Sequence, residues 1–68
     1  MVEIDSAAIR NRMIEEGTNI KTLSNNARIS IATAQKIVSK GGKVQFQTIG
    51  RIAKSLKIEP KEIIKAYA

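Results

Sequence analysis

The chain contains no cysteine and no histidine. Neither a disulfide nor an ordinary zinc site is therefore open to it, and its 68 residues must hold together by packing alone. A domain this small buries only about 60% of its extended-chain surface. It has room for one small core and none for a deep substrate cleft. Apolar residues make up 43% of the chain, which suits a globular domain rather than a disordered one. We expect a single domain over residues 1–68.

Apolar spacing predicts an all-α fold of five short helices. No sustained period-2 alternation bounded by turn residues is present, so no sheet is expected. The first helix spans about 6–16, with Asp5 as N-cap, Ile9 and Met13 on one face and Gly17 as terminator. The second spans about 20–27 after Asn19, with Ile20, Leu23 and Ala27 facing inward. A tight turn, Ala27-Arg28-Ile29-Ser30, leads into a third over about 31–39, capped by Ser30, with Ala34, Ile37 and Val38 inward. Lys40-Gly41-Gly42-Lys43 reads as a flexible loop. Its glycines suit either a helix terminus and turn or a backbone cradle for phosphate. The fourth helix, about 46–57, carries the stripe Phe46, Ile49, Ile52, Ala53 and Leu56, and Ile58 plugs the next junction. The fifth, about 60–67, opens at Glu59-Pro60 with Glu62 in its first turn, buries Ile63 and Ile64, and sets Tyr67 over the end of the core.

Charge is segregated along this frame. Residues 17–58 hold no acidic residue and eight basic ones: Lys21, Arg28, Lys36, Lys40, Lys43, Arg51, Lys54 and Lys57. Such a segment attracts polyanions. No apolar run approaches the ~20 residues needed to cross a bilayer, and Glu3 and Asp5 stand where a signal peptide would be basic. We expect a cytoplasmic protein with no membrane contact. No nucleophile–base pair is visible, histidine is absent, and the six carboxylates form no evident dyad, so no catalysis is expected. Nor is any cofactor, metal or small-molecule ligand.

Leu23-Ser24, Ile29-Ser30, Thr33-Ala34, the run Ile52-Ala53-Lys54-Ser55-Leu56-Lys57-Ile58, and Glu62-Ile63-Ile64 together resemble the phage repressor/Cro (Xre-type) helix-turn-helix pattern. The likeness covers residues 19–64, and the first helix extends it to nearly the whole chain. It departs from the pattern at Ile20, often glutamine there, at Arg28, often glycine, and at Thr18, usually apolar. The resemblance implies a five-helix, lambda-repressor-like domain that binds double-stranded DNA and regulates transcription, in a repressor-like manner. It implies that the third helix enters the major groove. Ser30, Ile31, Ala32, Thr33, Gln35 and Lys36 would then form the base-reading surface, with Asn19, Lys21, Lys40, Lys43, Gln45 and Gln47 on the DNA backbone. It also implies a weak homodimer on DNA, joined through the C-terminal helix around Ile64 and Tyr67. The alternative is a protein-interaction module on the same fold, such as an antitoxin or assembly factor.

Overall fold

Side-chain caps set where three of the helices begin. A computed structural model describes residues 1–67, at Tyr67 by its backbone only. The Asp5 carboxylate accepts from the Ala8 amide at 3.1 Å and opens α1 (Ser6–Glu16). The Asn19 side chain accepts from the Thr22 amide at 2.8 Å and opens α2 (Ile20–Ala27). Ser30 accepts from the Thr33 amide at 3.1 Å and opens α3 (Ile31–Ser39). Each cap satisfies an N–H group that the first turn leaves without a partner. The fourth helix, α4 (Phe46–Leu56), follows Gln45, whose side chain makes no capping bond.

Left-handed residues end three of these helices. Gly17 adopts a φ of +65° after α1, Arg28 +58° after α2, and Lys57 +59° after α4. Glycine reaches that region freely, whereas a side chain there costs about 1 kcal/mol or more.

Four α-helices are therefore present as expected, but the fifth helix and the absence of a sheet are not. Three short strands, β1 (Val2–Ile4), β2 (Gly42–Val44) and β3 (Ile64–Tyr67), form an antiparallel sheet in the order β2-β1-β3. Val2 faces Val44 and Ile4 faces Gly42 on one side of β1. On the other side Val2 faces Tyr67 and Ile4 faces Ile64, with an irregularity between Glu3 and Ile4. The segment expected to form the fifth helix begins as read. Glu59 and Glu62 make a reciprocal capping box around Pro60, and the Glu59 amide donates to the Glu62 carboxylate at 3.0 Å. It then makes one 3-10 turn, Pro60–Ile63, and passes into β3. Ile63 and Ile64 are β-branched and favour extended backbone, and β1 offers β3 a ladder of partners.

The segment expected to be a flexible loop also enters the sheet. Its second half is β2, and the close approach of its backbone to β1 accounts for Gly41. A Cβ at Gly41 would lie 2.9 Å from the Ile4 carbonyl oxygen, and φ there is +77°. Gly42, at φ +98°, is left-handed as well.

One core joins all the elements. Val2 and Ile4 pack with Ile9 and Met13 of α1, Leu23 and Ala27 of α2, Ile37 of α3, Ile49, Ile52, Ala53 and Leu56 of α4, and Ile63. Ala34 is buried too. Ile20, Ile29, Val38, Ile58 and Ile64, expected inside, are half-buried against this cluster. The role expected for the Tyr67 side chain lies outside the described residues. Phe46 departs most from its expected place: it is 69% exposed.

Two arginines of α1 clamp the helix ends. Arg10 donates to the Val38 carbonyl at 2.7 Å near the end of α3. Arg12 donates through Nε to the Leu56 carbonyl at 2.8 Å, at the end of α4, and pairs with Glu15 and Glu16 at 3.3 Å. Cations at helix C-termini oppose the partial negative charge there.

Because the sheet contributes to the core, Ile4→Ala should cost about 2–5 kcal/mol in urea unfolding, much as Ile52→Ala should. A change below about 1 kcal/mol for Ile4→Ala would mean that β1 is an ornament on a purely helical domain.

Candidate nucleic-acid interface

The surface of α3 divides cleanly in two. Ala34 and Ile37 are buried and Val38 is half-buried, whereas Ile31, Ala32, Thr33, Gln35 and Lys36 are exposed. Ile31 has 48% of its surface in water. A helix with an apolar back and a free front suits a groove about 12 Å wide.

Local bonds limit which polar groups on this front are free. The Ser30 hydroxyl accepts the Thr33 amide and donates to Thr33 Oγ1 at 2.8 Å, so its capping role occupies it. The Ser39 hydroxyl donates to the Gln35 carbonyl at 2.6 Å, which engages the backbone of Gln35 rather than its side-chain amide.

The residues expected on the DNA backbone are all exposed and come from three places. Asn19 and Lys21 stand at the start of α2, and the Asn19 oxygen is held by its cap. Lys40 follows α3, and Lys43 lies on β2 opposite Glu3. Gln45 and Gln47 flank the start of α4. The start of β2 lies near α3: a Cβ at Gly42 would lie 4.0 Å from Lys36 Cε.

The basic segment stays largely unneutralised. Among the described residues, Lys57 alone of its eight cations enters an ion pair, with Glu16 at 3.9 Å. The carboxylates Glu15 and Glu16 are drawn to Arg12 instead. Arg51 and Lys54 lie exposed on α4, where with Gln47 and Gly50 they line a shallow depression of about 420 Å³.

Two features of this surface escaped the sequence reading. Phe46 was expected inside because it continues the stripe of Ile49 and Ile52, but as the first residue of α4 it lies beyond the layer that covers that stripe. Ile14, between the buried Met13 and the exposed Glu15, is 77% exposed. It borders a recess of about 430 Å³ with Met13, Ile20 and Val38 among its walls. No three His, Cys, Asp or Glu residues gather as a metal site among the described residues. No helix there is long and apolar enough to cross a membrane.

Residues 8–68, about nine-tenths of the chain, match a family model described as a Cro/C1-type HTH DNA-binding domain. No curated protein and no solved structure matches the sequence.

The turn before α3 generates a pair of opposite stability changes. Ser30→Ala removes the cap and should lower stability by about 1 kcal/mol. Arg28→Gly relieves the left-handed backbone and should raise it by about 0.5–1 kcal/mol. Thermal melts at matched salt check both signs.

Proposed function

Because the chain belongs to the Cro/C1-type helix-turn-helix DNA-binding family, we propose that it is a sequence-specific, repressor-like transcriptional regulator that lays α3 in the major groove. One observation carries the reading: the exposed front of α3 sits within residues 17–58, a segment of eight cations and no carboxylate.

In this reading the groove is met by two kinds of contact. Ile31 and Ala32 pack on thymine methyl groups. Gln35 pairs with an adenine edge, and Lys36 meets guanine or a phosphate. Thr33 and Ser30 line the entry of α3, with Ser30 chiefly holding the helix end in place. Asn19, Lys21, Lys40, Lys43, Gln45 and Gln47 grip the sugar–phosphate backbone and fix the register without reading sequence.

Two copies would bind half-sites roughly 34 Å apart, as helix-turn-helix dimers do. The expected contact through a C-terminal helix becomes one through β3, an outer strand of the sheet whose far edge pairs with no other strand among the described residues. So short a strand supports a weak dimer that DNA strengthens.

A second reading, a protein-interaction module, draws its support from the apolar recess beside Ile14. The two readings differ in response to salt. Counterion release makes DNA affinity fall steeply as salt rises, by about 0.9 in log–log slope per phosphate contact. Apolar docking in the recess would not.

Gln35→Ala should lose about 1–3 kcal/mol of preference at one base pair and leave binding to scrambled duplex nearly intact. Lys43→Ala should weaken both duplexes alike and reduce the salt slope by about one. Titrations of both variants on selected and scrambled duplexes check this. Equal weakening by Gln35→Ala on the two would remove α3 from the reading role.

A further inference from the structure

Phe46 is the chain's one phenylalanine, and 69% of its surface lies in water. The core does not need it: Ile49, Ile52, Ala53 and Leu56 complete the buried face of α4 without it. Burying a large apolar side chain is ordinarily favourable, so an exposed aromatic ring is available for a contact made outside the chain.

Its surroundings narrow that contact. Gln45 and Gln47 flank it, and Lys43, Arg51 and Lys54 are exposed before and after it. No acidic residue occurs anywhere in this segment. Gly50 stands one turn beyond Phe46 on the same side of the helix, and a Cβ there would meet nothing within 4 Å. Gly50 thus leaves open space one turn beyond the ring, and cations precede and follow the ring along the chain. The strand leading into α4 starts at Gly42, where an added Cβ would lie 4.0 Å from Lys36 Cε of α3, the helix proposed to enter the groove.

We propose that the Phe46 ring packs on a deoxyribose of the bound duplex, between phosphates held by its polar and cationic neighbours. The proposal rests on the DNA-binding function put forward above. A sugar–phosphate strand offers what this surface lacks: anions at regular intervals, with an apolar sugar face between them. Contacts to phosphate and sugar position a protein on DNA without reading its sequence. A second copy of the chain is a poor occupant. A two-fold contact sets the same patch on both sides, and would bring Arg51 and Lys54 near their own counterparts.

The decisive comparison separates an apolar contact from an ionic one. The chain carries one Phe and one Tyr, so the Phe46 ring resonances are readily distinguished. In the complex with a short duplex, ring protons of Phe46 should show cross-relaxation to deoxyribose protons. Phe46→Ala should weaken binding to selected and scrambled duplexes alike by about tenfold, with the salt slope unchanged. Lys43→Ala should lower that slope. Phe46→Leu should recover part of the loss, and circular dichroism of both variants should match the parent. Unchanged affinity in Phe46→Ala, or ring contacts to protein protons of a second molecule, overturns the proposal while leaving DNA binding in place. Failure of the parent chain to bind duplex at low salt would instead overturn the proposed function, and this inference with it.

Discussion

The fold depends on its first strand. With no cysteine to form a disulfide, the chain brings distant segments together by pairing and burial. β1 does this from the middle of the sheet, bonded to β2 on one edge and β3 on the other. It thereby joins the first residues to the connection between α3 and α4 and to the last described ones. Val2 and Ile4 place their side chains in the core, 1% and 2% exposed. The next residue, Asp5, caps α1 with its side chain while its amide donates to the Ile63 carbonyl at 2.8 Å. Within these few residues the chain sets the sheet register, the start of α1 and the end of the 3-10 turn. Closing such long loops is entropically costly, and the burial of Val2, Ile4 and Ile63 in one cluster offsets that cost.

What was legible in the sequence was local. Asp5, Asn19 and Ser30 stand at the caps they were assigned, because capping needs only a side-chain oxygen and an amide three residues on. The exposed face of α3 was legible for a similar reason: helical period alone separates the buried Ala34 and Ile37 from the exposed Gln35 and Lys36. The sheet was not legible. Val2-Glu3-Ile4 does alternate, but three residues fit a strand, a loop or the approach to a helix equally well. The capping box at Glu59 and Glu62 is a true helix-start signal, yet a start does not fix a length. Whether the chain then continued as helix or joined β1 depended on an edge that only the assembled fold provides. Phe46 shows the converse limit, since periodicity assigns a face but not how far along the helix that face is covered.

The helix-end clamps were equally hidden, because Arg10 and Arg12 reach carbonyls far along the chain, at Val38 and Leu56. They also explain how the charge comes to be divided. α1 holds Glu15 and Glu16, and Arg12 lies against both, so these carboxylates are engaged at the junction with α4. The ion pairs are partly exposed and add little stability. Their larger effect is to occupy negative charge away from α3, leaving the cations of residues 17–58 to set the field over the exposed front.

That front is economical in polar groups, which bears on how it would discriminate. With the Ser30 hydroxyl occupied by its cap and bonded to Thr33 Oγ1, the side chains free to hydrogen-bond are chiefly Gln35 and Lys36, beside the apolar Ile31 and Ala32. In the proposed complex each base contact is worth about 1–3 kcal/mol of discrimination, and apolar packing on a thymine methyl has no directional bond to sharpen it. One copy then carries few reading contacts, too few to single out one site among the many competitors in a genome. Two copies on a two-fold site double the number of base pairs read without adding a residue to either chain. In the proposed complex, repetition on the DNA would thus supply the discrimination that the exposed front of one short helix cannot.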